Sequence, residues 1–505
     1  MQFKKVIHYG YEKLIYNTVF SLGFFIFLFS CNPHLQAPTV EQTPQENLVN
    51  KINILIDDPN VAAAHIGVYI EALKDRSLVY QHEAAKLFIP ASNLKLYTTA
   101  CALELLGPDY RFRTEFYIKG IVKDSVLNGD LIVRGMGDPS ISGRYRDGDK
   151  QAYFKDWADS LRHYGINQID GHIIADDGFF SDNVLAEGWN WDDEPFWYSA
   201  QISALSYNDN CIDVTIAPGM HAGDSLLIVA GPLAKYVGTE IIALSCAADS
   251  QSSLKLSRKR GRNALIVKGR YPIGSAEYRE SITIENPPLW FAENMQHSFM
   301  ISGIIVGHAP AVRKNAFRQA GAKLLFSHHS LPLSDLIITL NKKSHNFYAD
   351  QLFKTLGAEI INDGSWNGGM RVVRGWLDKI GVAPAYTDFI DGSGLSRKDL
   401  VAPLATAAVL RKLYYSKNFP FYYKSLPIGG VDGTLKDRLK NTSAAGVVHA
   451  KTGYMGHVRS LSGYTHDKAG NDYIFVIMVN NYLVPTSFVN DLQDQIVLLL
   501  TTYMP

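Results

Sequence analysis

What the sequence lacks narrows it first. Lys plus Arg and Asp plus Glu balance at 49 each, so the chain has no surplus charge. Nucleic acid or an acidic polymer therefore finds no net field to bind, and a small or neutral ligand is expected instead. Cysteines number only 4 in 505 residues. No His or Cys pair has the spacing of a zinc site, so neither a metal nor a cofactor is expected. No internal repeat is evident. The N-terminal apolar run, TVFSLGFFIFLFSC, is short for a membrane span and follows a basic patch at Lys4, Lys5 and Lys13, the layout of a secretory signal.

The run ends in LFSC, which resembles the lipobox of bacterial lipoproteins, in which the cysteine becomes the lipidated first residue; Phe29 is bulkier than that motif usually allows. The expectation is a signal peptide over 1–31, lipidation at Cys31, and an exported, periplasmic, membrane-anchored protein. An uncleaved signal anchor is the alternative. Residues 32–47 are polar and proline-rich, as a tether should be. Cys101 sits in a helical pattern and reads as a core residue, whereas Cys211 and Cys246 end strand-like runs. A disulfide between the latter two and a pair of free buried thiols both remain open.

The length implies about three domains. Alternation of apolar and polar residues around a charged turn in AHIGVYIEALKDRSLVYQHEAAKLFIPAS predicts a β-hairpin leading into a helix. From about 114 to 325 short strands with Gly and Asp turns predominate, and after 330 helical patterns return. The C-terminus reads as a strand pair, VVHAKTGYM and YIFVIMVNNY, followed by a helix around FVNDLQDQIVLLLTTY. Strands at both ends with helices between predict one α/β domain whose sheet is completed by the C-terminus, with the β-rich middle looping out of it.

Three short motifs carry chemistry. In PASNLKLYTTACALELLG, Ser92 and Lys95 lie three apart on one helical face, which places an amine beside a hydroxyl. A serine N-cap and an exposed lysine are the plain alternative. Ser344-His345-Asn346 lies between helical stretches, where a tight connection directs both polar side chains the same way. Lys451-Thr452-Gly453 lies on a strand expected at the sheet edge, Gly453 leaving room for a substrate backbone. Each is weak alone, since Ser-x-x-Lys recurs at Ser252 to Lys255, and Ser-x-Asn recurs at Ser365 to Asn367 and Ser416 to Asn418.

The order Ser-x-x-Lys, Ser-x-Asn, Lys-Thr-Gly is the signature of penicillin-recognising acyl-serine enzymes. With the flanking GMGDPSIS, SALSYNDN, NKKSHNFYADQLFKTLG, DGSGLSR and GGVDGTLKDRL, the chain from about residue 50 onward resembles the class C penicillin-binding proteins of the penicillin-binding protein 4 type, D-Ala-D-Ala carboxypeptidases and endopeptidases. His345, where Asp or Asn is more usual, and Tyr454 and His457, where small residues are usual, depart from that pattern. They imply altered substrate preference. For both histidines a role without chemistry is the alternative.

The resemblance implies an α/β transpeptidase fold like that of the β-lactamases, with an antiparallel sheet flanked by helices. It also implies a serine-type peptidase acting on peptidoglycan stem peptides and acylated by β-lactams. Ser92 would attack the carbonyl between two D-alanines with Lys95 as base, partly neutral through desolvation and the nearby Lys451 charge. Ser344 would relay a proton to the leaving amine, Asn346 would orient Lys95 and hold the substrate backbone, and Lys451 and Thr452 would face the terminal carboxylate. The backbone N–H groups of Ser92 and Tyr454 would form the oxyanion hole. By matching to relatives, Asp176, Arg397 and Met455 would line a pocket for a diaminopimelate side chain, although a turn-forming aspartate is the ordinary reading of Asp176.

The expected division is a catalytic domain over 48–113 and 326–505, an inserted domain over 114–182 and 281–325, and a further domain nested within it over 183–280. A β-lactamase is the rival enzyme, disfavoured because no glutamate motif suited to a deacylating water is visible. A non-catalytic cell-wall or β-lactam-binding lipoprotein is the rival without chemistry.

Overall fold

The computed structural model describes residues 42–504 except 182, 232, 234 and 235. The expected signal peptide and Cys31 lie outside the described residues. The first element is the helix Pro44–Ile56, capped by Thr43, whose hydroxyl accepts from the Glu46 amide while Glu46 reaches back to the Thr43 amide. It begins inside the stretch expected as a tether.

The expected hairpin is present as His65–Ala72 and Leu78–His82. It joins three C-terminal strands in a five-stranded antiparallel sheet in the order His449–Met455, Val458–His466, Asp472–Asn480, His65–Ala72, Leu78–His82. The sequence reading found only the outer two of the C-terminal strands. The middle one, VRSLSGYTH, is built from small and hydroxyl side chains and shows no apolar alternation, yet Ser460, Leu461, Ser462 and Gly463 are all buried. The Lys451 strand is at the edge, as expected.

Period-2 alternation splits the strand Asp472–Asn480 between two cores. Ile474, Val476 and Met478 face the helices Lys95–Leu105, Leu333–Lys342, Asn346–Ile361, Trp366–Lys379 and Pro403–Tyr414. Tyr473, Phe475, Ile477 and Val479 face the helices Pro44–Ile56 and Thr486–Thr501. Glu71 and Arg411 tie the sheet to the first layer: the carboxylate, only 2% exposed, takes a two-pronged bond from the guanidinium at 2.6 and 2.5 Å.

Between these parts the chain leaves through the strand Arg113–Lys123 and returns through Ala322–His329. The two pair antiparallel, with His329 opposite Arg113. Everything between therefore hangs from a closed two-strand stem. It holds the rest of a seven-stranded sheet and two three-stranded sheets, one of Lys255–Arg258, Ala264–Pro272 and Gly238–Cys246, the other of Tyr278–Thr283, Cys211–Ala217 and Leu227–Gly231. Cys101, Cys211 and Cys246 are all buried free thiols, which closes the disulfide question left open above.

Asp176 ends the strand Ile173–Asp176 and is fully buried. Its carboxylate accepts backbone N–H groups from Gly178 at 3.0 Å, Asn315 at 2.7 Å and Phe317 at 3.2 Å, so it pins the 315–317 turn to the sheet. These bonds fit the turn-forming reading of Asp176. Asp176→Asn turns an amide toward backbone donors. It is expected to lower stability by about 1–3 kcal/mol in chemical denaturation. Any loss of activity shared by all substrates belongs to that turn; a loss confined to diaminopimelate peptides supports the pocket role.

Candidate active site

The turn Ala91–Leu94 is a single 3-10 turn entering the helix Lys95–Leu105. Ala91 holds a left-handed φ of 46°. Such a conformation in a non-glycine residue is costly and needs support from its surroundings. The support comes from the edge of the sheet. The Asn93 amide donates to the Lys451 carbonyl at 2.9 Å, Ser462 donates to Asn93 Oδ1 at 2.5 Å, and Ser460 donates to the Pro90 carbonyl at 3.0 Å. A Cβ on Gly453 would stand 2.6 Å from the Pro90 oxygen. The absence of a side chain at Gly453 therefore lets the edge strand pack on this turn. Ser92 caps no helix; its Oγ lies 2.9 Å from Lys95 Nζ.

Lys95 is buried, and its amine has three neighbours: Ser92 Oγ, Asn346 Oδ1 at 2.7 Å and the Ser393 carbonyl at 2.7 Å. The last two can only accept, and Asn346 is oriented because its Nδ2 donates to the Tyr198 carbonyl at 2.8 Å. A neutral amine thus donates to Asn346 and Ser393 and directs its lone pair at the Ser92 hydroxyl. Burial lowers the Lys95 pKa from 10.5 to about 8, against the opposing pull of Asp350, Asp391 and Asp399.

Ser344 follows the helix Leu333–Lys342 with φ 56°, and Asn346 opens the helix Asn346–Ile361. Lys451 Nζ donates to Ser344 Oγ and to the Thr452 carbonyl, both at 2.9 Å. Burial first, and then the Lys95 charge, hold Lys451 well below the ordinary lysine range. Thr452 Oγ1 donates to Thr434 Oγ1 at 2.7 Å. Ser92, Lys95, Ser344, Asn346, Lys451 and Thr452 are thus linked through two lysines, one bridging Ser92 to Asn346 and the other bridging Ser344 to the edge strand. Tyr454 follows Gly453 on that edge strand, opposite Arg459 of the neighbouring strand.

Arg397 reaches the end of the edge strand beside Met455, donating to the Gly456 carbonyl at 3.2 Å. His457 is an exposed turn residue with φ 62°, bonded at Nδ1 to the Tyr482 carbonyl. His345 is buried, with Nε2 3.3 Å from Asp209 and 3.1 Å from Arg144. The recurrent motifs are structural: Ser365 caps the helix Trp366–Lys379, Ser416 and Asn418 bind Glu104, and Lys255 is exposed on a strand.

The sequence reading missed Ser393 and the three carboxylates around it. Asp391 accepts from the amides of Ser393, Gly394 and Ser396 and from Trp189 Nε1, which folds the DGSG segment so that the Ser393 carbonyl meets Lys95. Asp399 accepts from the Ile390 amide and Asp350 from the Gly392 amide. Burial raises both well above the ordinary carboxylate range. The Asp-Gly-Ser-Gly turn composition was the available signal. Thr434 and Tyr198 carried none.

The sequence matches the D-Ala-D-Ala carboxypeptidase 3 (S13) family over residues 48–503. It is 31% identical over 469 residues to a D-alanyl-D-alanine carboxypeptidase of an Actinomadura species, covering 90% of this chain and 84% of that one. It is 26% identical over 425 residues to the D-alanyl-D-alanine carboxypeptidase DacB of Haemophilus influenzae, covering 83% and 86%. The crystal structure of penicillin binding protein 4 (dacB) from H. influenzae superposes with a TM-score of 0.78 at 25% identity, covering 90% of this chain and all of that one.

Because the neutral amine is the reactive form, acylation of Ser92 by a fluorescent penicillin is expected to rise with pH and level off above about 8. A rate that is flat from pH 6 to 9 would remove Lys95 as the group that titrates.

Proposed function

The chain belongs to the D-Ala-D-Ala carboxypeptidase 3 (S13) family of serine-type peptidases, and we propose that Ser92 is its nucleophile toward the D-Ala-D-Xaa bond of peptidoglycan stem peptides. The observation that carries this reading is the contact of Ser92 Oγ with a buried amine whose other two neighbours are fixed acceptors. Lys95 takes the hydroxyl proton as Oγ attacks the carbonyl carbon. The backbone N–H groups of Ser92 and Tyr454 face the developing oxyanion, a contribution of about 3–4 kcal/mol for each donor. The C–N bond then breaks, and the proton passes from Lys95 toward the leaving amine through Ser344, which Lys451 holds. Water hydrolyses the ester, returning Ser92. Lys451 and Thr452 face the carboxylate of the leaving residue. Arg397 and Met455, with Asp176 by the same matching, belong to the pocket for the stem-peptide side chain.

β-Lactams acylate the same serine. The acyl-enzyme they form persists, which separates this reading from that of a lactamase. The division of the chain into a catalytic domain, an inserted domain and a nested one at the boundaries above is part of this proposal, as are export, lipidation at Cys31 and periplasmic membrane anchoring.

Ser92→Ala is expected to abolish both penicillin labelling and peptide cleavage with little change in stability, since it removes a hydroxyl that caps no helix. Label retained in that variant overturns the assignment, and label lost from wild type within minutes of a chase indicates a lactamase. Cys31→Ala is expected to move the protein from the membrane to the soluble fraction with unchanged turnover of soluble peptides; unchanged membrane association indicates an uncleaved helix.

A further inference from the structure

Three carboxyl groups that the reaction does not use stand behind Lys95. Asp350 comes from the helix Asn346–Ile361, Asp391 and Asp399 come from the loop that carries Ser393, and all three are fully buried. Three negative charges cannot share one water-free space, so protons must be held there. The hydrogen bonds place them. Asp391 receives four N–H groups, two on each oxygen: Ser393 at 3.0 Å and Gly394 at 2.6 Å on Oδ1, and Ser396 and Trp189 Nε1, both at 2.8 Å, on Oδ2. A carboxylate offers about four such positions, and filling them favours the charged form.

Asp399 and Asp350 are met differently. Asp399 takes the Ile390 amide at 2.7 Å and the Asp391 amide at 3.4 Å, both on Oδ1, and its side chain hydrogen-bonds the Asp391 side chain, a contact two carboxyl groups make only with a proton between them. Asp350 takes the Gly392 amide at 2.9 Å on Oδ1, with the Ser393 hydroxyl beside the carboxyl. Oδ2 of each is buried without a hydrogen-bond donor among the described residues. Burial first, and then the Asp391 charge, hold both groups well above the ordinary carboxylate range. The charge that remains reaches Lys95 through one residue: Ser393 gives its N–H to Asp391 Oδ1, and its carbonyl accepts from Lys95 Nζ at 2.7 Å. The charges around the amine are then Asp391 on this side and Lys451 of the edge strand on the other, with opposite effects on its proton.

We infer that these three side chains hold one negative charge and two protons, and that Asp391, which bears the charge, is a positioning residue that sets the pH at which Lys95 becomes a base. The inference rests on the assignment of Lys95 as the base for Ser92. A carboxylate in contact with the amine would keep it protonated. A charge held off by one residue instead steadies the ammonium that forms when Lys95 takes the Ser92 proton, and the same four bonds fix the carbonyl to which that ammonium donates.

The test compares the purified protein with three isosteric variants, Asp350→Asn, Asp391→Asn and Asp399→Asn, following acylation by a fluorescent penicillin from about pH 6 to about pH 9. Asp391→Asn removes a negative charge near the amine, so the midpoint of rate against pH is expected to fall by about one unit or more, besides any loss in the plateau. Asp350→Asn and Asp399→Asn replace groups that are already neutral, and their midpoints are expected to stay within about 0.3 unit of wild type. Unfolding gives a second measurement. A carboxyl whose pKa is raised by folding must take up a proton above about pH 4, so it costs the wild type stability as pH rises from there, and an asparagine escapes that loss. The Tm of Asp350→Asn and of Asp399→Asn relative to wild type is therefore expected to rise between about pH 4.5 and about pH 8. A relative Tm that stays constant or falls over that range puts a charge on the replaced side chain and overturns the proton count. An Asp391→Asn midpoint equal to wild type with only the plateau lowered, or an equal fall in all three variants, overturns the role of Asp391; should that variant not fold, the unfolding of the other two decides. A wild-type rate that is flat with pH overturns the assignment of Lys95 itself, while the relative Tm values still test the proton count.

Discussion

A lysine amine buried with no carboxylate in contact is the constraint on which the rest of the structure depends. Placing an ammonium there is expensive, and the protein meets that cost by letting the amine lose its proton more easily. A neutral amine still requires two acceptors and one hydrogen-bond donor in fixed directions. Those come from three distant parts of the chain: Ser92 before the helix, Asn346 at the start of another, and Ser393 in a loop. Each in turn is fixed by something further out, Asn346 by the Tyr198 carbonyl, Ser393 by the amides gathered on Asp391, and the Ser92 turn by the edge strand. The three carboxylates near Lys95 act through the loop they fold and do not touch the amine. Direct contact would raise its pKa and remove the base.

Lys451 faces the opposite requirement. Its partners are a hydroxyl and a carbonyl, with no carboxylate among them, and burial together with the Lys95 charge favours its neutral form until an anionic group enters. The looped-out part of the chain is built into this arrangement, since Tyr198 orients Asn346 and Asp209 grips the histidine next to it.

Much of this was legible from spacing. Ser92 and Lys95 share a helical face whatever the helix type, and Ser344 and Asn346 flank a break between helices. The hairpin alternated cleanly because each of its faces meets a different environment. The strand Val458–His466 did not show itself, because close approach to the Ser92 turn demands small and hydroxyl residues there, which erases the apolar signature of a buried strand. The missing side chain of Gly453 also serves a packing contact against Pro90 that a linear reading cannot locate. That Asp176 would gather the 315–317 turn was not legible, because those amides lie some 140 residues away in sequence. Asp391 and Asp399 fold a turn, and that the turn serves Lys95 depends on a contact 298 residues away in sequence.

The strand order has a consequence for when this protein can react. Asn93 is anchored by the Lys451 carbonyl, 358 residues further along the chain, and the edge strand reaches the hairpin only through Val458–His466 and Asp472–Asn480. The serine and its lysine are held in place only when the strands from His449 to Asn480 have closed the sheet, so the local Ser-x-x-Lys spacing and the long-range sheet edge are assembled at opposite ends of the polypeptide.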